Sequence, residues 1–424
     1  MRILVVGRGG REHALIWKLK QSPRVSQIYA APGNAGISKL ATCVDIEEKD
    51  IASLVQFAKK KQIDLTVVGP EEPLLMGLVD QFQEHDLPVY GPTQAAARIE
   101  GSKRFAKALM EKYQIPTARY QAFDQADEAI AYVRKKGAPI VVKADGLAAG
   151  KGVILAETLE QAEAAINRCM KERAFGDAGR EVVIEEYLYG QEISLMAFVD
   201  GKVVRPMVIA QDHKPVFDGD EGPNTGGMGA YSPVPQIEEE MIQRGIEEIL
   251  IPMANALVEE GIHYQGVLYA GLMITSEGPK VIEFNARFGD PETQVVLPRL
   301  KSDLLDILLA TLEGELSKVE IHWKHEAAVC VVMASEGYPR AYQTGFPITG
   351  LPEATESVIP FHAGTRHEGE TVVTNGGRVL GITGLGKDLI EARAITYEAI
   401  DKIMFSGAHY RKDIASKALD HVKV

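Results

Sequence analysis

Residues 283–294 read Glu283-Phe284-Asn285-Ala286-Arg287-Phe288-Gly289-Asp290-Pro291-Glu292-Thr293-Gln294 and follow the run Lys280-Val281-Ile282, which predicts a short β-strand. Successive side chains of a strand point to opposite faces, so Val281, Glu283 and Asn285 are expected on one face. A carboxylate and an amide on one face, about 7 Å apart at their Cα atoms, suit Mg²⁺, which prefers hard oxygen ligands. The stretch therefore predicts a metal site.

Arg287 follows two residues after Asn285 and shares its face if the strand continues. A carboxylate, an amide and a guanidinium together are what phosphoryl transfer from a metal-bound nucleotide would use. The simpler interpretation is a strand with a solvated polar face. The density of polar residues between Asn285 and Gln294 makes that simpler interpretation less favourable.

Composition narrows the classes of protein to consider. The chain has 424 residues, 46% hydrophobic and 25% charged, which is typical of a globular protein of two to four domains. The net charge of -13 argues against nucleic-acid or membrane-surface binding through bulk charge. Three scattered cysteines indicate neither a zinc site nor a disulfide framework, and Cys169 and Cys330 are expected in the core.

No targeting or membrane segment is evident in the sequence. The chain opens directly on the apolar strand Ile3–Val6, without a charged region followed by a signal-like apolar run. There is no apolar run long enough for a membrane span. A cytoplasmic location is therefore expected.

The first hundred residues alternate short apolar strands with helical patterns. This βαβ alternation predicts a parallel, Rossmann-like sheet covered by helices. Polar loops follow three of its strands, namely Gly7-Arg8-Gly9-Gly10, Pro32-Gly33-Asn34 and Gly69–Pro73. Ligands bind beyond the carboxyl ends of strands in such sheets, so these loops are expected to form one composite pocket.

Three domains are predicted along the chain: residues 1–102, 103–324 and 325–424. The middle domain contains a small α/β subdomain at about residues 120–190. It also contains a Gly- and Pro-rich polar stretch at 211–235, which predicts a long functional or disordered loop. The last domain combines short strands with a C-terminal helix and is expected to be α+β. The fold class is thus α/β and α+β in a multidomain chain.

The first glycine loop invites comparison with nicotinamide-dependent oxidoreductases. Their G-x-G-x-x-G pattern would require glycine where Glu12 stands, and an acid where the second strand ends at Ala31-Pro32. Both departures count against a dinucleotide. A helix N-terminus able to cradle one phosphate remains possible, as does a tight turn that only packs the helix. His13 is expected to be a packing or helix-surface residue.

A second glycine-rich loop, Lys143–Val153, joins two predicted strands. Its glycines and alanines form a flap whose amides can approach phosphates, and Lys143 and Lys151 can neutralise them. It is not a P-loop, because Gly152 rather than Ser or Thr follows Lys151. A bland Gly-rich hairpin is the alternative. The strand that leads to Glu185 and the following hinge could frame an adenine, but this signal is weak on its own.

Together these motifs resemble the ATP-grasp superfamily and, within it, the phosphoribosylamine–glycine ligase family. The resemblance runs essentially end to end. Its most specific stretches are Gly7–His13, Pro32–Asn34, Gly69–Leu74, Gly101–Lys103, Lys143–Val153, Gln211–Lys214, Asn224–Pro233 and Glu283–Gln294. Several separated motifs in the right order are more specific than any one of them.

The resemblance implies an ATP-dependent ligation of glycine to 5-phosphoribosylamine in purine biosynthesis. Glycine would attack the γ-phosphate to give an acyl phosphate, which the amine then attacks. ATP as co-substrate and Mg²⁺ or Mn²⁺ are implied, with Glu283 and Asn285 as the metal ligands. The preceding strand, Val267–Met273, contains no acid, which puts a third protein ligand in doubt. A monomer acting on small molecules is expected.

The resemblance also implies roles for individual residues. The ATP-binding residues would be Lys103, Lys143, Gly146, Gly150, Lys151, Gly152, Glu185, Tyr187, Leu188 and Glu192. The substrate-binding residues would be Gly9, Gly10, Pro32, Gly33, Asn34, Glu71, Asp212, Gly226, Gly227, Arg287 and Asp290. Arg287, Asp212 and Lys143 would be catalytic. Apart from the resemblance, two interpretations of Arg378 and the turn Asn375–Gly377 in the last domain stay open, namely that they reach a substrate or that they serve folding alone.

Other functions stay open at this point. Another purine-pathway ATP-grasp ligase or carboxylase would use the same nucleotide motifs. A non-catalytic nucleotide-binding regulator would not need so many polar loops, and a nicotinamide-dependent oxidoreductase is disfavoured by Glu12.

Overall fold

The computed structural model describes residues 1–148 and 152–422 of the chain. Gly150 and Lys151, which are predicted to contact a nucleotide, lie outside the described residues. Within the described ranges, no helix combines the length and the apolar character that crossing a membrane requires.

The N-terminal part is a parallel sheet with helices, as predicted. Its elements are β1 (Arg2–Gly7), α1 (Gly10–Leu19), β2 (Gln27–Pro32), β3 (Thr42–Cys43), α2 (Ile51–Lys61), β4 (Leu65–Val68), α3 (Glu71–Leu75), α4 (Leu78–Glu84), β5 (Val89–Tyr90) and α5 (Gln94–Gly101). The strand order is β3-β2-β1-β4-β5, and all four pairings are parallel. The sheet therefore presents the loops after β1, β2 and β4 at one edge.

A small antiparallel subdomain follows. Its elements, with the helix that leads into it, are α6 (Lys103–Lys112), β6 (Tyr120–Phe123), α7 (Ala126–Lys136), β7 (Ile140–Ala144), β8 (Val153–Ala156), α8 (Leu159–Ile166) and β9 (Val182–Glu186). The strand order is β6-β9-β7-β8. Ala162, Ala165 and Ile166 are buried on α8. Cys169, which was expected in the core, lies buried in the π-helical turn that continues this helix.

The chain then builds a second antiparallel sheet and several shorter pairings. The elements are β10 (Gln191–Asp200), β11 (Val203–Pro206), β12 (Gln211–Asp212), β13 (Pro215–Phe217), β14 (Glu221–Asn224), β15 (Gly229–Ser232), α9 (Glu239–Gly245), α10 (Ile251–Glu259), β16 (Gln265–Thr275), β17 (Gly278–Asn285), α11 (Thr293–Arg299) and α12 (Leu304–Leu312). The larger sheet, which we call the central sheet, has the order β11-β10-β16-β17.

The prediction that Val281 shares a face with Glu283 and Asn285 is wrong. Glu283 lies opposite Gly271, whereas Val281 lies opposite the next residue of β16, Leu272, so β17 contains a β-bulge. A bulge inserts one residue and interrupts the alternation of faces. Val281 and Phe284 consequently belong to the same hydrophobic core. Glu283 and Asn285 still share one face of β17, because the bulge lies before them.

The stretch 211–235 is not the long unstructured loop that its composition predicts. It forms β12, the β13–β14 hairpin and β15. The remaining elements are β18 (Ala327–Ser335), β19 (Val358–His362), β20 (Thr365–Glu368), β21 (Thr371–Thr374), β22 (Arg378–Gly386), α13 (Leu389–Ile400), β23 (Ala408–His409) and α14 (Ser416–Val422). The C-terminal sheet has the order β12-β15-β18-β22-β19, so two strands of the middle part of the chain extend it.

The N-terminal and C-terminal parts meet at two buried histidines. His13 on α1 is 5% exposed and accepts the backbone N–H of His362 on β19 at 2.8 Å. The prediction that His13 is a packing residue is confirmed. Burial lowers the pKa of His13 to about 3 and that of His362 to about 4. Both rings are therefore neutral in the folded protein at neutral pH.

This arrangement predicts a loss of stability in mild acid. The unfolded chain binds protons at both histidines below about pH 6.5, while the folded protein does not until pH 3–4. The free energy of unfolding should therefore fall from pH 6.5 towards pH 4, by up to about 1.4 kcal/mol per pH unit for each histidine. Urea unfolding followed by tryptophan fluorescence measures this fall, since the Trp17 ring packs against that of Phe361 on β19.

The variant His13→Asn keeps a hydrogen-bond acceptor but cannot be protonated in this range. Its stability deficit relative to the unmodified protein should shrink as the pH falls below 6.5. His85 is exposed, so the deficit of His85→Asn should stay constant with pH. A deficit of His13→Asn that does not change with pH would contradict the assignment.

Candidate active site

Two adjoining cavities lie where the three parts of the chain meet. The first encloses about 250 Å³ and the second about 540 Å³, and Asp290 and Arg378 line both. The predicted site residues on the first cavity are Glu71, Lys103, Glu185, Asp212, Gly226, Glu283, Asn285, Arg287 and Asp290. Those on the second are Gly9, Pro32, Gly33, Asn34 and Asp290. The loops predicted to form one pocket are thus divided, because Glu71 lies on the other cavity.

Several predicted residues line neither cavity. They are Gly10, Lys143, Gly146, Gly152, Tyr187, Leu188, Glu192 and Gly227. Tyr187 and Leu188 lie in the segment between β9 and β10, where the Tyr187 ring packs against that of Tyr189. Gly146 belongs to the flap and its carbonyl accepts from Lys103 Nζ at 3.3 Å. The predicted roles of these residues stay predictions.

Glu283 and Asn285 both face the first cavity from the C-terminal end of the strand β17. Burial alone would raise the pKa of Glu283, but Lys214, Lys103 and Lys143 hold it below its usual value. The carboxylate is therefore charged. The position directly opposite Glu283 on β16 is Gly271, which offers no side chain. A carboxylate and an amide oxygen exposed to one cavity fit a hard divalent cation that shares its coordination with phosphates.

Arg287 is held by acids of the N-terminal part. Its Nε lies 3.2 Å from Glu71 Oε2 and its Nη2 lies 3.0 Å from Glu100 Oε1. Nη2 also donates to Asn285 Oδ1 at 3.1 Å. Burial opposes ionisation of Glu71, yet Arg287 and Arg11 lower the pKa of that carboxyl to about 2. Arg287 consequently lies beside the candidate metal ligands in a fixed orientation.

Lys143 forms part of a buried triad beneath the first cavity. Its Nζ lies 2.9 Å from Glu185 Oε1 and donates to the carbonyl of Ile282 at 2.9 Å. The other oxygen of Glu185 lies 3.1 Å from Lys107 Nζ. The three side chains are at most 4% exposed. The carboxylate of Glu185, predicted to frame an adenine, thus pairs with two lysines in this structure.

Lys214 joins two further predicted residues. It pairs with Glu192 and lies 3.5 Å from Asp212 Oδ1. Burial raises the pKa of Asp212 to about 6, with Glu292 adding to the shift and Lys214 opposing it. Glu292 accepts from Tyr269 at 2.6 Å. Lys214 therefore supplies the positive charge beside Asp212 on the cavity wall.

Arg378 connects the C-terminal part to both cavities. Its Nη2 lies 3.1 Å from Asp290 Oδ2, and its Nη1 donates to the carbonyls of Gly226 and Asp290 at 2.8 and 3.0 Å. Asn375 and Gly376 line the second cavity nearby. The expectation that this region reaches a substrate stays a prediction. Arg378 fixes the Gly226 loop against Asp290.

The first glycine loop is packed around the side chain of Glu12. The carboxylate of Glu12 accepts the N–H of Gly9 at 2.6 Å. A Cβ atom placed on Gly7 or Gly69 would lie within 2.6 or 2.0 Å of the Glu12 side chain. Glu12 therefore fills the space between the loops after β1 and β4, and its charge occupies the start of α1. This geometry argues against the nicotinamide alternative.

Three functional candidates were missed by reasoning from the sequence. They are Glu100, Lys107 and Lys214, all of which line the first cavity. Lys214 lies within a stretch that carries the family resemblance, and Glu100 directly precedes another. Position in a motif was the only available signal, because their partners lie on distant elements.

The fold and the cavity define an ATP-grasp domain. The small antiparallel subdomain and the central sheet hold lysines, acids and the oxygen pair of β17 around the first cavity. The family model described as Phosphoribosylglycinamide synthetase, ATP-grasp (A) domain matches residues 101–293. The models of the N domain and the C domain of the same family match residues 1–100 and 328–417.

Known proteins are similar to this chain over almost its whole length. It is 56% identical to phosphoribosylamine–glycine ligase of Halalkalibacterium halodurans, over 99% of this chain and 97% of that protein. The crystal structure of the ligase of that name from Thermotoga maritima matches with a TM-score of 0.86 at 36% identity, over 98% of this chain and 100% of that one. The chain belongs to the phosphoribosylglycinamide synthetase family.

A more distant structure shows the fold alone. A biotin carboxylase domain from Hydrogenobacter thermophilus matches with a TM-score of 0.73 at 17% identity, over 96% of this chain and 91% of that one. The ATP-grasp fold implies the use of ATP. The three-domain architecture predicted from the sequence is confirmed, whereas the exact domain limits stay a prediction.

The buried triad predicts a large effect of neutralising Glu185. In Glu185→Gln, Lys107 and Lys143 would lose their shared counter-ion while remaining 2–3% exposed. Leaving buried charges without a partner costs about 3–5 kcal/mol. We expect a decrease of that size in the free energy of unfolding at pH 7, measured in urea.

Glu186→Gln is the matched control on the same strand. Glu186 pairs with Arg119, whose side chain is 89% exposed, so its neutralisation should cost less than about 1 kcal/mol. Equal losses for the two variants would contradict the role assigned to burial.

Proposed function

We propose that the protein ligates glycine to 5-phosphoribosylamine, with ATP cleaved to ADP and phosphate, and yields glycinamide ribonucleotide for purine biosynthesis. One observation carries the proposal beyond family membership. The oxygen pair Glu283 and Asn285 faces a cavity that also contains Lys103 and Lys214, and this cavity adjoins a second one through Asp290 and Arg378. Such a pair of cavities suits a reaction in which an activated acid meets an amine.

The first half-reaction belongs to the first cavity in this proposal. The carboxylate of glycine attacks the γ-phosphorus of ATP, the bond to the β–γ bridging oxygen breaks, and ADP leaves. Lys103, Lys143 and Lys214 would offset the negative charge that accumulates on the phosphoryl group. Asp212 would pair with the ammonium group of glycine. The loop Gly226–Gly227 leaves room beside it for a substrate without a side chain.

A divalent cation belongs to this step. Glu283 and Asn285 would hold Mg²⁺ or Mn²⁺, which would neutralise phosphate charge and align the transferred group. Arg287 would keep the amide of Asn285 oriented and add positive charge. The other nucleotide contacts proposed are the flap residues Gly146–Gly152, Glu185 on β9, the hinge residues Tyr187 and Leu188, and Glu192 on β10.

The second half-reaction joins the two cavities. The amine of 5-phosphoribosylamine attacks the carbonyl carbon of glycyl phosphate, the acyl C–O bond breaks, and phosphate leaves with the bonding pair. The sugar phosphate would occupy the second cavity beside Gly9, Gly10, Pro32, Gly33 and Asn34. Glu71 and Asp290 would bind its polar groups near the first cavity. Closure of the flap would protect glycyl phosphate from water.

The organisation of the working protein is also part of the proposal. We infer domains at 1–102, 103–324 and 325–424, which the family-model limits at 100 and 328 support. We also propose, from the sequence alone, that the protein is a cytoplasmic monomer without nucleic-acid partners. Light scattering at micromolar protein concentration tests whether it is a monomer.

The activity assay uses purified protein, ATP, Mg²⁺, glycine and freshly generated 5-phosphoribosylamine. We expect steady ADP release only when both acceptor substrates are present, and a product that carries glycine in amide linkage. ADP release that does not depend on glycine and on the amine would contradict the proposal. Replacement of the amine by ribose 5-phosphate is the matched substrate control.

The variant Glu283→Gln tests the metal site. Loss of the charged ligand should lower kcat by about 100-fold or more, because the charge of the transferred phosphoryl group would lose its cation. The control is Glu277→Gln, in the turn directly before β17, where the side chain is 74% exposed. Both variants should keep the fold by circular dichroism. Wild-type activity of Glu283→Gln would remove Glu283 from the site.

A further inference from the structure

Both carboxylate oxygens of Glu100 contact the two residues that follow β17. Glu100 lies on α5, is 8% exposed and lines the first cavity. Oε2 accepts the backbone N–H of Ala286 at 2.7 Å. Oε1 lies 3.0 Å from Nη2 of Arg287. One carboxylate therefore fixes two consecutive residues that directly follow Asn285.

The contact extends to the amide of Asn285 through a single nitrogen. Nη2 of Arg287 pairs with Glu100 and donates to Asn285 Oδ1 at 3.1 Å. Nη2 therefore lies within reach of an oxygen of each residue. An amide can turn over to exchange its oxygen and nitrogen, and only the oxygen can bind a cation. A guanidinium held in one orientation favours the rotamer of Asn285 in which the side-chain oxygen, and not the NH₂ group, faces Nη2 of Arg287.

A neutral residue could not replace Glu100 in this arrangement. A glutamine has one acceptor atom, so it could serve Ala286 or Arg287 but would place an NH₂ group against the other donor. The pair is also shielded from water, where a polar contact is stronger than at the surface. Glu71, on the opposite side of the guanidinium, contacts Nε and leaves Nη2 to Glu100 and Asn285.

We propose that Glu100 is a positioning residue of the nucleotide–metal site, which acts through Arg287 and the Ala286 N–H to hold the oxygen of Asn285 towards the cation. The inference rests on the proposed function and assigns to α5 a part in binding the metal-bound nucleotide. A merely structural Glu100 would stabilise the contact between α5 and β17 without affecting how the cation contributes to nucleotide affinity.

The test compares ADP binding with Mg²⁺ and in EDTA by titration calorimetry. In Glu100→Gln, the affinity for ADP with Mg²⁺ should fall about tenfold, as expected when the partner of a metal ligand is changed. The affinity in EDTA should change less than about twofold, within the scatter of an independent site. Glu111→Gln, an exposed position on the next helix, is the control and should match the wild type.

A second comparison asks whether Glu100 acts through Asn285. In an Asn285→Ala background, Glu100→Gln should cost no further Mg²⁺-dependent affinity, because the group that it positions is gone. If Glu100→Gln does not fold, Glu100→Asp keeps the charge, shortens the reach by one methylene and is measured in the same way. Additive losses in the double variant would overturn the proposal.

The outcomes separate this inference from the proposed function. A wild-type protein that bound no ADP with Mg²⁺ would contradict the proposed function itself. Tight wild-type binding, with equal losses in Mg²⁺ and in EDTA for the Glu100 variants, would overturn the positioning role alone. A lowered melting temperature with unchanged nucleotide affinities would also overturn it.

Discussion

The buried pairing of Arg287 with Glu71 and Glu100 is the constraint on which the arrangement of the cavities depends. Arg287 follows β17 of the central sheet, while its two acids lie on α3 and α5 of the N-terminal part. A buried guanidinium is tolerated only when its charge is paired. The pairing therefore fixes the N-terminal part against the central sheet, and the first cavity forms at this junction.

The same principle organises the rest of the site. Lys143 and Lys107 share Glu185, and Lys214 lies between Glu192 and Asp212. Each lysine is held by an acid, so the cations are positioned before a polyanion arrives and little reorganisation is needed. Arg378 repeats the pattern with Asp290, where the two cavities adjoin. The charge of the cavity is thus a property of elements that are far apart in sequence.

Sequence patterns were reliable where the determinant was local. The parallel N-terminal sheet and the Glu283–Asn285 pair follow from periodicity and turn chemistry. Sequence patterns failed where pairing with a distant strand decides the structure. The bulge that turns Val281 into the core depends on the register with β16, and the hairpin within 211–235 and its flanking strands are stabilised by partners that composition does not reveal. Glu100, Lys107 and Lys214 were missed for the same reason.

The sequence by itself determined the family, the fold class and the chemistry available at the end of β17, because motif spacing and strand alternation are local properties. Only the tertiary structure decided which charges meet. It placed Glu71 on the first cavity and Asn34 on the second, paired Glu185 with two lysines, and filled the first glycine loop with the carboxylate of Glu12. Those outcomes depend on burial, since a charge removed from water must find its partner wherever the fold provides one.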